Sequence, residues 1–204
     1  MKMSSSEERA VIDGFGTSHV HVWHHVPRCS DELFTGNRKF RKPNWQSWRG
    51  GKINANIVQT IISKIDQIAP HPHVVVLVFG GNNIADGQHP NEFYPFFEQV
   101  VAHANNMENV HVVISGIIPR PRTEETKKEL YKQASAMLNN LCRENAAKCS
   151  FVNIANKLCR NGEICREFYA GPEDLQVHLN YKGAKVFAKA IYNVIRSIPK
   201  GTFN

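Results

Sequence analysis

The sequence predicts an α/β fold, a parallel sheet covered by helices on both faces, and three features predict it. Val74 to Phe79 (Val-Val-Val-Leu-Val-Phe) is an unbroken apolar, mostly β-branched run, as a strand buried on both faces requires. Just before it, Ile57, Ile61, Ile65 and Ile68 recur every three or four residues, which draws one apolar stripe down a helix. Strand and helix keep alternating towards the C-terminus, the order that builds parallel sheets.

Each element has its own signal. Val11 to Phe15 is the first strand, and it runs into Gly16-Thr17-Ser18. From there to about Gly51 the chain reads as a basic loop containing proline and tryptophan, with the stretch from Pro27 to Trp48 shaping a pocket entrance. Pro70 and Pro72 end the helix that carries the isoleucines. Asn91 is the expected cap of a helix faced by Phe93, Phe96, Phe97, Val100, Val101 and Ala104. Val110 to Ser115 is the next strand, and Thr123 is the expected cap of a long helix carrying Leu130, Ala134, Met137, Leu138 and Leu141. Glu124 and Glu125 suit the positive end of that helix. Phe151 to Ile154 is a last short strand, and after Asn180 comes a helix with Phe187, Ala190, Ile191, Val194 and Ile195 inward. A length of 204 residues suits one core. The expected division is a disordered segment over 1–8, one domain over 9–199 and a tail over 200–204.

Composition narrows the class. Hydrophobic residues are 42% and charged residues 21%, ordinary for a globular chain. No stretch approaches the length of a membrane-spanning helix, and Met1 to Glu8 lacks the apolar core of a signal peptide, so an intracellular setting is expected. The net charge is +7, much of it in Arg38, Lys39, Arg41, Lys42, Arg49 and Lys52, with Trp45 and Trp48 interleaved. The plain reading is a solvated loop with its tryptophans folded on the core. The sharper one is a surface for RNA or DNA, where cations meet phosphates and indoles stack on bases. The five cysteines form neither a dense disulfide framework nor a zinc pattern, so free thiols are expected. Cys159 and Cys165 flank an Asn161-Gly162 turn, which would make them neighbours across a hairpin, with a disulfide as the alternative in an exported protein. His19, His21, His24 and His25 lack a companion carboxylate motif, so no metal is expected. Gly80-Gly81 is not followed by the lysine of a phosphate-binding loop, so no nucleotide cofactor is expected either.

In open parallel sheets, ligands bind beyond the carboxyl ends of the strands. Ser18 follows the first strand there, Gly80-Gly81-Asn82-Asn83 follows a later one, and His178 stands just before the final helix. A nucleophilic serine needs a base, and the base needs a carboxylate to hold its tautomer; Asp174 is the candidate, with Glu173 behind it. The developing oxyanion needs donors, for which the Ser18 amide, a glycine amide from Gly50 or Gly51, and the Asn82 side chain are suitable.

The segments Gly16-Thr17-Ser18, Gly50-Gly51-Lys52-Ile53, Gly80-Gly81-Asn82-Asn83 and Asp174 to His178, in that order, resemble the blocks of the SGNH (GDSL-type) hydrolase family. Those blocks are a Gly-Asp-Ser nucleophile turn, a glycine, a Gly-x-Asn-Asp turn and a C-terminal Asp-x-x-His. The resemblance implies a three-layer α/β/α sandwich with a flavodoxin-like sheet. It also implies cofactor-free hydrolysis of small acyl esters, with acetyl esters among them, by Ser18, His178 and Asp174 with Gly51 and Asn82 at the oxyanion. Thr17 and Asn83 replace family aspartates of structural role, and Asp174 lies one residue further from the histidine than the family spacing. The alternative is a weak or inactive relative that binds nucleic acid through its basic face, Arg120-Pro121-Arg122 included.

Overall fold

The computed structural model describes residues 9–18, 20–37, 39–49, 51–68, 71–121, 123–171 and 178–203, with backbone alone at 17–18, 20–24, 47–49 and 200–201. Its centre is a parallel sheet of five strands in the order β2-β1-β3-β4-β5. These are β1 (Val11–Ser18), β2 (Asn44–Arg49), β3 (His73–Val78), β4 (Val110–Ser115) and β5 (Cys149–Val152). Between and after them run α1 (Val20–Phe34), α2 (Ala55–Ile68), α3 (Gly81–Ala85), α4 (Pro90–Asn105), α5 (Glu125–Glu144), α6 (Ala155–Leu158) and α7 (Tyr181–Ser197). Two short antiparallel pairs flank the sheet: β6 (Cys159–Arg160) with β7 (Glu163–Ile164), and β8 (Tyr169–Ala170) with β9 (His178–Leu179).

The three layers follow from the two-residue period of a strand. On β3, Val75 and Leu77 face a core shared with Ile61 and Ile65 of α2 and with Phe93 and Phe97 of α4. Val74, Val76 and Val78 face the other core, with Val26 and Phe34 of α1 and Phe187, Ile191 and Ile195 of α7. All of these strand residues are buried, and each is worth about 1.5–3 kcal/mol on leaving water. An apolar run with no polar alternation is therefore what this position demands.

The main departure from expectation lies between β1 and α2. The stretch read as a loop holds α1 and the edge strand β2. Val26, Cys29, Ser30 and Phe34 are buried at helical spacing, so α1 has an apolar stripe despite Pro27 within it. Trp45 lies across Gly14 of β1, where an added Cβ would stand 2.0 Å from the indole. The missing side chain of Gly14 is what lets the indole lie on the sheet. Two caps also differ. His89, not Asn91, caps α4: its ring accepts from the Asn91 amide while Glu92 returns to the His89 amide, with Pro90 in the first turn. Glu124 rather than Thr123 stands at the cap of α5, without a side-chain cap bond. The last strand begins two residues earlier than expected, at Cys149.

The cap of the final helix and the turn of the short hairpin agree with expectation. The Asn180 side chain accepts from the Gly183 amide at 3.0 Å and caps α7. Asn161 (φ 52°) and Gly162 (φ 82°) make the left-handed turn between β6 and β7, opposite strands carrying Cys159 and Ile164 as partners. All five cysteines are free thiols. Residues 200–203, expected as a tail, instead form a 3₁₀ turn, and Phe203 meets Phe40 edge-on. Among the described residues no helix is long and apolar enough to cross a membrane.

Two stability predictions arise here. A Cβ on Gly183 would fall 2.2 Å from the Phe168 carbonyl oxygen, which is backbone and cannot swing aside. Gly183→Ala is expected to lower stability by about 1–3 kcal/mol, read as a lower urea midpoint. The second concerns His111 in β4, whose Nε2 is 2.8 Å from Ser150 Oγ. Burial, helped by Lys148 and Lys39, lowers its pKa to about 4. Because the folded state disfavours the proton, this contribution is complete above the ordinary value near 6.5 and is lost as pH falls towards 4. The loss is on the order of 3 kcal/mol. Urea midpoints of wild type should fall more steeply between those pH values than midpoints of His111→Gln.

Candidate active site

The strand order reverses between β1 and β3, since the chain steps outward to β2 before returning to the far side of β1. The crevice beyond the carboxyl ends of β1 and β3 is the topological switch point, where open sheets bind ligands. Ser18 is the last residue of β1, paired with Arg49 of β2. Beyond β3, Gly80 takes φ +99°, a conformation favouring glycine, with Ile117 and Phe93 against the space a side chain would need. That bend turns the chain at once into α3, which holds Asn82 and Asn83.

The two asparagines do different things. Asn83 is fully buried and grips the backbone of Ile53 at both ends: it accepts from the Ile53 amide at 3.1 Å and donates to the Ile53 carbonyl at 3.1 Å. It thereby ties the segment before α2 to α3, helped by the Lys52–Asp86 ion pair at 2.7 Å. The consequence is that Gly51 is brought to Asn82, whose Nδ2 lies 3.4 Å from the Gly51 carbonyl. Arg120, in the β4–α5 loop, donates to Asn82 Oδ1 at 2.6 Å. With its oxygen so engaged, the amide presents its N–H₂ end to the Gly51 side.

The loop bearing Arg120 is itself tethered. Tyr169 of β8 donates to the Pro119 carbonyl at 2.5 Å, and burial raises its pKa, keeping the phenol a donor. Tyr131 of α5, also raised by burial, donates to the Gly81 carbonyl at 3.3 Å. β8 pairs with β9, placing Ala170 opposite His178. Asn180, two residues on, donates to the carbonyls of Glu167 (2.8 Å) and Tyr169 (3.1 Å) while capping α7. His178 is thus held between a cap and a strand pair, half-buried. Asp174, Glu173, Gly50, His19 and Arg38 lie outside the described residues.

The basic stretch does not gather into one described cluster. Lys42 pairs with Asp31 at 3.5 Å, Lys52 with Asp86, and Lys39 donates to the Ile198 carbonyl at 2.5 Å. Arg41 is exposed, and Arg49 ends β2. Arg120, read from sequence as part of a basic face, is engaged with Asn82. No sequence signal pointed to that bond, because its partners are 38 residues apart.

Residues 11–186 match the sequence model of the GDSL-like lipase/acylhydrolase family. The chain belongs to that family. Ester hydrolysis is the family's chemistry, and this member is an ester hydrolase by class. Solved structures agree in fold. A member of the lipolytic G-D-S-L family from Veillonella parvula is 15% identical with a TM-score of 0.64, the match covering 92% of this chain and 99% of that one. A lipolytic protein of the same family from Desulfitobacterium hafniense is 11% identical, TM-score 0.69, covering 91% and 99%. A carbohydrate acetylesterase from Sinorhizobium meliloti is 11% identical, TM-score 0.66, covering 94% and 100%. A search of curated protein sequences finds no match.

Proposed function

We propose that this acylhydrolase cleaves small acyl esters, acetyl esters among them, through a covalent acyl-enzyme on Ser18. Ser18 Oγ attacks the carbonyl, His178 takes the proton and returns it to the leaving alcohol, and Asp174 orients the imidazole. The Gly51 amide and Asn82 Nδ2 receive the oxyanion, and water activated by His178 then releases the acid. The observation that carries this reading is the Asn82–Gly51 pair at the switch point, beside the strand end that bears Ser18. The acetylesterase from Sinorhizobium meliloti, alike in fold, supports a short acyl group.

The test is hydrolysis of chromogenic esters from acetate to octanoate by wild type, with Ser18→Ala as control. Turnover that falls with acyl length and vanishes in the variant supports the assignment. A folded wild type inert on every ester would remove it, and salt-dependent polynucleotide binding would then be the next measurement.

A further inference from the structure

A pocket of about 720 Å³ lies between the β4–α5 loop, α5, the end of β5 and the β6–β7 hairpin, and it shares Arg120 with Asn82. Its volume is in the range of small-molecule sites and exceeds what an acetyl group fills. We propose that it receives an arm of the ester that carries a negative charge, with Arg120 as the principal receptor. The inference rests on the ester-hydrolysis reading of the neighbouring site.

The charge on its wall is lopsided. Among the described residues, Arg120, Lys128, Lys132 and Arg166 line it, against one carboxylate, that of Glu163. Lys128 and Lys132 are paired with Glu125 and Glu129, yet neither glutamate is on the lining. Those glutamate side chains are 82% and 74% exposed, so their pairings are weak and leave the cationic wall in place. The floor is apolar, from Ile117, Tyr131 and Phe151, which lowers the local dielectric and strengthens any charge contact above it.

Arg120 connects this pocket to the chemistry. A guanidinium carries five donors in a planar fork suited to carboxylate or phosphate, and one nitrogen is engaged with Asn82 Oδ1. An anionic arm bound to the same guanidinium would sit one residue away from the oxyanion donors, as part of the same substrate. The Tyr169–Pro119 tether keeps that fork in place whether or not the arm is present.

The experiment uses two matched pairs. Monomethyl succinate against dimethyl succinate puts the charge on the acyl arm; acetoxyacetate against its methyl ester puts it on the alcohol arm. Binding of all four to Ser18→Ala protein is measured by NMR titration, and kcat/KM by pH-stat with wild type. One anionic ester is expected to exceed its neutral partner about tenfold in both, equivalent to about 1.4 kcal/mol. That ratio should shrink with added salt and in Arg166→Met/Lys132→Met. Arg120→Met should remove it and lower kcat on the neutral ester as well. Equal binding within both pairs would overturn the proposal, even where turnover upholds the esterase. Selective binding of an anion without any turnover would uphold the pocket and overturn the esterase.

Discussion

Replacing Ser18 by alanine is expected to lower kcat by roughly 10⁴- to 10⁶-fold on any ester the wild type accepts. A hydroxyl that forms the acyl-enzyme has no substitute, so the residual rate comes only from binding and from the oxyanion donors. His178→Ala should lose a similar amount, and the double variant no more than either alone. Nucleophile and base act as one unit, and removing either stops the same step. Asp174→Ala should lose less, about 10³- to 10⁴-fold, because the imidazole is also held by its place between β8 and the cap of α7. Additive losses for Ser18 and His178 would mean that the two do not share a proton. An undiminished Asp174→Ala would pass the orienting role to Glu173 or leave a dyad. Circular dichroism of each variant separates these results from misfolding.

Asp13→Val is expected to destabilise the fold by about 3–5 kcal/mol, a large part of the 5–15 kcal/mol typical of a domain. Asp13 sits in the middle of β1 at 1% exposure, where a carboxylate is tolerated only with partners. It has two, one from each neighbouring strand: Asn44 Nδ2 donates to Oδ1 at 2.8 Å, and His73 Nε2 lies 3.0 Å from Oδ2. Removing the carboxylate strands the imidazole of His73, which is fully buried, whereas Asn44 is exposed and can turn to water. Asp13→Val/His73→Phe should therefore recover part of the loss, since the double change leaves no buried polar group behind. Urea unfolding of the three proteins tests this. A single variant no less stable than the double would show that the stranded His73 imidazole is not the source of the loss, and a single variant as stable as wild type would show that the pair contributes nothing to holding β2, β1 and β3 together.

The parallel sheet and its covering helices were legible because their signals are local. Val74 to Phe79 needs no partner to read as a buried strand, and the isoleucines of α2 repeat within one helix. The region from Val20 to Arg49 was not legible for the opposite reason. α1 is stabilised by what it meets, Phe34 standing edge-on to Tyr192 of α7 at 4.8 Å and His25 to Tyr181 at 5.7 Å. β2 pairs with β1 through an indole seated on Gly14, a fit that spans 31 residues of sequence. The stripe of Val26, Cys29 and Phe34 is present in α1 but is obscured by the histidines and Pro27 around it, and β2 (Asn44–Arg49) carries no apolar run. The caps of α4 and α5 differ from expectation because the helices begin at Pro90 and Glu125, so that His89 and Glu124 precede the first turn.

The site divides along the same line. Residue types and their order (a serine after the first strand, glycines and asparagines after a later one, a histidine before the last helix) are properties of the linear chain. They sufficed for the family and for the candidate chemistry. How the Asn82 amide is turned, why Gly51 comes to meet it, and that Arg120 is bonded to Asn82 are not in any window of neighbouring residues. An amide has two nearly isosteric ends, and which one faces the crevice depends on the hydrogen bonds it makes. Here Asn82 accepts from Arg120 and donates to the Gly51 carbonyl, groups 38 and 31 residues away in the chain.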